Sequence, residues 1–316
     1  MLFYLSPIFL LLLIYLYTDP FRVIYHYDHY YAPVDSYYYT MSNDHITTQT
    51  LIQNYPEHKY DSYIFGSSRS GFYLMSEWSK HIDSKRDYNF NTVGESLYGI
   101  EKKMQFLKKN NYPIHNALIV IDSELLSVVA NEKGHIHIKD PITTGESKIM
   151  FQLEFLKDYF DQKFLLAYLH LIFSRHPFAY ALTNPILAPQ RFHYDIATNE
   201  YRYFNEEEIE ADSVKYYAAR QNVFYKRDTV LRYGKPVIGV EQEKLLRSIK
   251  EILDENHTSY RIVISPLYDQ VKMDSTDIKT LETIFGKQYV FDFSGINDFT
   301  RNKYNYFRNQ LVEQRF

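Results

Sequence analysis

Apolar strands alternating with amphipathic helices predict an α/β fold. It would be a doubly wound, mostly parallel sheet of flavodoxin-like order, with a large helical insertion and an N-terminal membrane helix. Three stretches carry this reading. Ala117-Leu118-Ile119-Val120-Ile121-Asp122 is apolar until its last residue, as a central parallel strand covered on both faces must be. Glu241 to Glu255 puts Leu245, Leu246, Ile249, Ile252 and Leu253 on one helical face. Leu2 to Tyr17 (LFYLSPIFLLLLIYLY) is apolar and carries no charge.

Residues 1–18 come close to the roughly 20 residues a membrane span needs, and they are expected to form an uncleaved anchor. No basic segment precedes the run, and Thr18-Asp19-Pro20-Phe21 is a poor cleavage context. The alternative is a cytosolic protein with a buried N-terminal helix. Residues 19–58 read as an aromatic-rich juxtamembrane segment, because Tyr25 to Tyr39 (YHYDHYYAPVDSYYY) suits a membrane interface.

Residues 59–316 are expected to hold the sheet. Asp61 to Phe65 is its first strand, and Ser68 to Lys80 reads as a helix with Phe72, Met75 and Trp78 among its inner residues. Tyr88 to Asn91 is a second strand, ending before Gly94-Glu95-Ser96. Leu97, Ile100, Met104 and Leu107 mark a helix to Asn110, with Lys102-Lys103 on its wet face. The pattern breaks over about 127–235, which is expected to be an insertion capping the sheet. It resumes with the helix at 241–255, a strand at Tyr260 to Ser265, a helix at Asp274 to Phe285 stopped by Gly286, and a strand at Tyr289 to Phe293.

Composition narrows the chemistry. Among 316 residues, 45% are hydrophobic and 23% charged, as in a packed globular protein. A formal charge of -4 gives no basic field for nucleic acid. The absence of cysteine excludes disulfides, thiol nucleophiles and thiolate metal sites. The three-residue spacing of His26 and His29 is weak evidence for a metal, and His135-Ile136-His137, which would put both rings on one strand face, has no identifiable third ligand, so no metal is expected. No Gly-x-x-x-x-Gly-Lys or Gly-x-Gly-x-x-Gly is present, which disfavours a nucleotide, and no cofactor is expected.

Sites in a doubly wound sheet lie at the carboxyl ends of its strands. Gly66-Ser67-Ser68, Gly94, Asp122, Pro266 and Asp292 fall there. Ser68 opens a helix, so its hydroxyl is the candidate nucleophile and its own amide a candidate oxyanion donor. Gly94 lets the backbone approach a substrate and is the second candidate donor. Alternatively, Ser67 or Ser68 only caps the helix.

Strand, Gly-Ser-Ser, helix, then an Asn-rich strand before Gly94, then a strand ending at Asp122, resembles the SGNH/GDSL hydrolase superfamily. The likeness covers about residues 60–126 and 240–298. Gly66-Ser67-Ser68 stands where that family has Gly-Asp-Ser, which carries the nucleophile onto Ser68 and the second-block glycine onto Gly94. The Gly-Ser-Ser form is similar to the branch holding the D-alanyl transfer protein of lipoteichoic acid synthesis and the alginate acetylation proteins.

That branch implies a membrane-anchored, extracytoplasmic serine esterase or O-acyltransferase acting on acyl esters of envelope glycans or lipids. It also implies a membrane-bound acyltransferase as partner. The chain departs from the family twice. Val120-Ile121-Asp122-Ser123 replaces Gly-x-Asn-Asp, leaving Asp122 as a substitute. No Asp-x-x-His follows Asp292, so the family's base is missing. Asp298 is a weak base at neutral pH. Three explanations stay open: a tail that ends early or changes frame after about Tyr306, a histidine lent by the insertion (His176 or His193), or a non-catalytic relative that binds a glycan or membrane partner.

Overall fold

The computed structural model describes residues 2–31, 37–176, 187–221, 230–267 and 270–301. The tail beyond Arg301, with Tyr306, and part of the Tyr25–Tyr39 segment lie outside the described residues. In chain order the main helices are α1 (Leu2–Thr18), α2 (Asn43–His58), α3 (Leu97–Lys109), α4 (Ser123–Ser127), α5 (Lys148–Tyr159), α6 (Gln162–Ser174), α7 (Phe204–Ala219), α8 (Val240–Glu255) and α9 (Ser275–Phe285). The strands of the central sheet are β1 (Ser62–Gly66), β2 (Asp87–Asn89), β3 (Asn116–Ile121), β4 (Ser259–Ile264) and β5 (Val290–Asp292). The chain divides into two compact units, residues 1–49 with 131–191 and residues 50–130 with 192–316.

The second unit carries the sheet. Its strand order is β5-β4-β3-β1-β2, and every pairing is parallel. This is an α/β fold, and the strand order is the flavodoxin-like one. Successive side chains of a strand point to opposite faces, and the core divides accordingly. Tyr63 and Phe65 of β1, Ala117, Ile119 and Ile121 of β3, and Tyr260, Ile262 and Ile264 of β4 join one core with Ile100 and Met104 of α3, Leu246 and Ile249 of α8, and Leu281 of α9. Ile64, Leu118 and Val120 turn to the other face and meet Met75, Tyr73 and Trp78.

The span expected as one helix over 68–80 is three short turns: a 3-10 turn at Ser68–Phe72, an α-turn at Met75–Trp78 and a 3-10 turn at Ser79–His81. Tyr73 and Leu74 between them are extended. Gly71 and four serines within fourteen residues give the backbone little reason to stay helical.

A hairpin of Phe192–Asp195 and Glu200–Tyr203 covers the edge strand β2. The Thr198 carbonyl accepts from Asn89 N at 2.9 Å, and Asn199 Nδ2 donates to the Asn89 carbonyl at 2.5 Å. Asn199 sits at φ +57°, a conformation that asparagine tolerates. Asn54 Nδ2 donates to the Ile196 carbonyl at 2.8 Å and fixes the tip from α2.

The first unit is built on aromatic side chains. Tyr15 of α1, Phe21, Phe151, Phe155 and Tyr159 of α5, and Phe164 and Tyr168 of α6 form its core. Phe21 stacks on Phe164 at 4.7 Å. At the start of α2, Asp140 Oδ2 lies 2.6 Å from His45 Nδ1 and accepts from Gln49 Nε2 at 3.0 Å.

The expected membrane-spanning N-terminal helix is not supported: among the described residues no helix is long and apolar enough to cross a membrane. The 17 residues of α1 rise about 25 Å at 1.5 Å each, short of the roughly 30 Å of a hydrocarbon core. His135-Ile136-His137 is also not a strand. It is a turn, closed by His137 N and Ile138 N donating to the Gly134 carbonyl. Among the described residues no cluster of three or more His, Asp or Glu could hold a metal.

Candidate functional site

The site is assembled at the carboxyl ends of β1, β2 and β3. Gly66 ends β1 between two walls. A β-carbon there would stand 2.7 Å from the Val120 carbonyl oxygen and 2.9 Å from Ser70 Oγ, so only glycine fits. The Gly66 carbonyl accepts from Thr92 N at 3.1 Å, tying the end of β1 to the loop after β2.

Ser67 is extended, and its side chain makes no capping bond to the turn. Its carbonyl accepts instead from Ser70 N at 2.8 Å and Ser70 Oγ at 2.6 Å. Ser68 is the first residue of the 3-10 turn and is half-buried.

Two residues hold this turn. Arg69 Nη2 donates to Asp122 Oδ2 at 2.5 Å. The other oxygen of Asp122 accepts from Leu125 N at 3.0 Å and caps α4. Asp122 is 2% exposed, and both oxygens are engaged. An ionised carboxylate only accepts hydrogen bonds, so Asp122 fastens the turn to the end of β3 and cannot replace an oxyanion donor.

On the other side, Asn89 Nδ2 donates to the Ser70 carbonyl at 3.1 Å. A β-carbon on Gly71 would stand 2.8 Å from Asn91 Nδ2. Asn91 Oδ1 receives Asn199 Nδ2 at 3.4 Å, and Asn199 Oδ1 receives the Tyr194 hydroxyl at 2.9 Å. Asn91 thus brings a side-chain amide against the Ser68–Phe72 turn. Sequence reasoning gave it no role; the Asn-rich end of the second strand was the signal.

The Gly94 loop is fixed from below. Gly94 has φ +68° and is half-buried. Beneath it, Lys103 is 1% exposed, against the expectation that it lies on the wet face of α3. Its Nζ donates to Glu95 Oε2 and Thr92 Oγ1, each at 2.5 Å, and to the Phe90 carbonyl at 3.2 Å. It also lies 4.8 Å from the centre of the Phe90 ring. Ser96 then caps α3 by accepting from Gly99 N. A buried ammonium ion with a full set of acceptors makes the 90–96 loop rigid.

The remaining candidate carboxylates and imidazoles lie apart from this turn or are engaged elsewhere. Asp298 is exposed and pairs with Arg301 Nη1 at 2.9 Å. His193, on the hairpin, is exposed, lies 3.3 Å from Glu207 and rests on the Phe204 ring. His176 follows α6 in the helical unit and is exposed. In the sheet unit, His58 ends α2, and His81, His115 and His257 lie in connections; all four come just before the amino ends of strands, opposite Ser68. At the end of β5, Asp292 accepts from Lys272 Nζ at 2.5 Å and from Ser294 N and Oγ.

Burial raises two carboxyls beside this region. Glu200 Oε2 accepts from Met75 N at 2.6 Å, and desolvation holds its pKa above the usual glutamate range. Asp87 is likewise raised by desolvation, against the bond from Ser79 Oγ.

Comparison with protein-family models, curated proteins and solved structures finds no match.

Proposed function

We propose that the chain is an SGNH-like serine esterase or O-acyltransferase. It is held at a membrane by α1, has its main domain outside the cytoplasm, and acts on acyl esters of envelope polysaccharide or lipid. The observation that carries the reading is the Gly66-Ser67-Ser68 turn at the carboxyl end of β1, clamped on one side to β3 and on the other to the loop after β2.

In this mechanism the Ser68 hydroxyl attacks the acyl carbonyl. The carbon–oxygen double bond opens to an oxyanion, and the Ser68 proton is carried through water to the departing alcohol oxygen. The amides of Ser68 and Gly94, with the Asn91 side chain, stabilise the charge as it develops. Collapse expels the alcohol and leaves an acyl group on Ser68, which water or an acceptor hydroxyl then removes. A membrane-bound acyltransferase as acyl donor belongs to the same reading.

One observation favours a second reading, a non-catalytic SGNH-like protein that binds a glycan or a membrane partner. The Asp122 carboxylate is committed to Arg69, Asp298 to Arg301 and His193 to Glu207. A fluorophosphonate probe on the intact chain separates the two. The enzyme incorporates it at Ser68 and loses it on Ser68→Ala; a folded wild type that takes up no probe leaves only the binding role.

A further inference from the structure

We propose that the helical unit docks on a lipid bilayer through α6 as well as α1, the two helices forming a platform immersed in one leaflet. This deepens the membrane attachment proposed above and rests on it.

One side of α1 belongs to the protein. Tyr15, Leu11 and Ile14 face the aromatic core, the Tyr159 hydroxyl donates to the Leu11 carbonyl at 3.1 Å, and the Tyr168 hydroxyl bonds Thr18 Oγ1. The other side is open. Ile8, Phe9, Leu10, Leu13 and Leu16 are 46% to 63% exposed, with no charged group in the helix.

Helix α6 repeats the arrangement. Phe164, Ala167 and Tyr168 point inward, while Leu166 and Phe173 are 56% and 79% exposed. Leu166, Leu169, His170, Phe173 and Ser174 line an open cleft of about 620 Å³ that is mostly apolar. Ile149 and Met150 at the start of α5 are also exposed. Among the described residues, most of the large exposed apolar side chains belong to this unit, although it is the smaller of the two.

Scattered exposed apolar residues are ordinary on a soluble surface; a concentration of them is not. The charge pattern selects hydrocarbon as the occupant. A protein partner is met by a polar rim around an apolar centre. The outer face of α1 has no charge to offer one, and a helix satisfies its own backbone groups, as an apolar medium requires. Tyr17 and Tyr25, both exposed, stand at the end of α1 where an interfacial belt belongs. Lys163 opens α6 and Arg175 follows it, long enough to reach headgroups from an immersed helix. A helix too short to cross can still lie about 5–10 Å deep in the boundary between headgroups and acyl chains.

The chain has no cysteine, so single-cysteine variants can be labelled cleanly. Leu10→Cys on α1, Phe173→Cys on α6 and Val214→Cys on α7, exposed in the sheet unit, would each carry an environment-sensitive fluorophore. The full-length chain would be mixed with phosphatidylcholine vesicles, with and without brominated acyl chains. Immersion of both helices predicts a roughly two-fold loss of emission to bromine at positions 10 and 173 and none at 214. Quenching at 10 without quenching at 173 overturns the platform and leaves the attachment through α1 standing. Quenching at neither position overturns both. A blue shift at 173 that follows protein concentration without vesicles means that the face meets a second copy of the chain, and also overturns the proposal.

Discussion

Arg69 and Asp122, fifty-three positions apart, are joined by a 2.5 Å hydrogen-bonded ion pair that fastens the serine turn to the end of the neighbouring strand. Asp122 is almost wholly buried and Arg69 only partly so. The carboxylate therefore depends on the guanidinium more than the guanidinium depends on it. Removing Arg69 leaves a buried charge with a single backbone donor.

Arg69→Met is expected to lower stability by about 2–3 kcal/mol, the scale of a hydrogen bond to a partly buried charge. Asp122→Asn keeps an acceptor for Leu125 N and should cost less. Urea unfolding of both variants measures the difference. Equal losses would mean that the cap on α4 matters more than the ion pair.

Lys103 and Glu95 form the more deeply buried pair, each nearly inaccessible to water. Lys103→Met strands the Glu95 carboxylate and should cost about 3–5 kcal/mol. Adding Glu95→Leu removes the stranded charge, so the double variant should be more stable than Lys103→Met alone. A double-mutant cycle by chemical denaturation tests this. A double variant that is the weaker of the two would mean that Thr92 and Phe90 dominate the site.

Glu200 sets a pH dependence whose sign follows from its environment. Its folded-state pKa is raised by burial. The folded state therefore holds the proton more tightly than the unfolded chain. The stability it contributes is fully present below the ordinary glutamate range, near pH ~4.3. It is lost as pH rises through the raised folded value. Glu200→Gln keeps an acceptor for Met75 N without the charge. Relative to wild type, it should gain stability at pH 7 and show no gain at pH 4. Thermal melts at the two pH values decide, and a gain at pH 4 alone would reverse the assignment.

The sheet was legible because its strands obey simple rules. Asn116–Ile121 and Ser259–Ile264 read as apolar or alternating runs, and the helices between them repeat at three and four residues. Helix α2 was not legible. It is polar, contains Pro56, and turns Asp44, Thr47, Thr48 and Thr50 inward beside Ile46 and Leu51, so its buried face is not marked by apolar residues alone. Lys103 was misread for the related reason that a lysine beside another lysine on an amphipathic helix resembles solvent face. Glu95, Thr92 and the Phe90 carbonyl, brought beneath α3 by the chain's return from β2, make its burial tolerable. Ser68 and Gly94 could be nominated from local sequence. Arg69 could not, and Asn91 showed only as part of an Asn-rich strand end, because their partners are defined only once three strands lie side by side.

The hairpin tip at Thr198 and Asn199 occupies the outer rim of β2. A parallel sheet with a bare rim invites strands from other molecules and grows into fibres. By engaging the N–H and C=O of Asn89 from within the same chain, the tip blocks that rim to a further strand. Any condition that peels it away would expose a template for aggregation while the rest of the core was still folded.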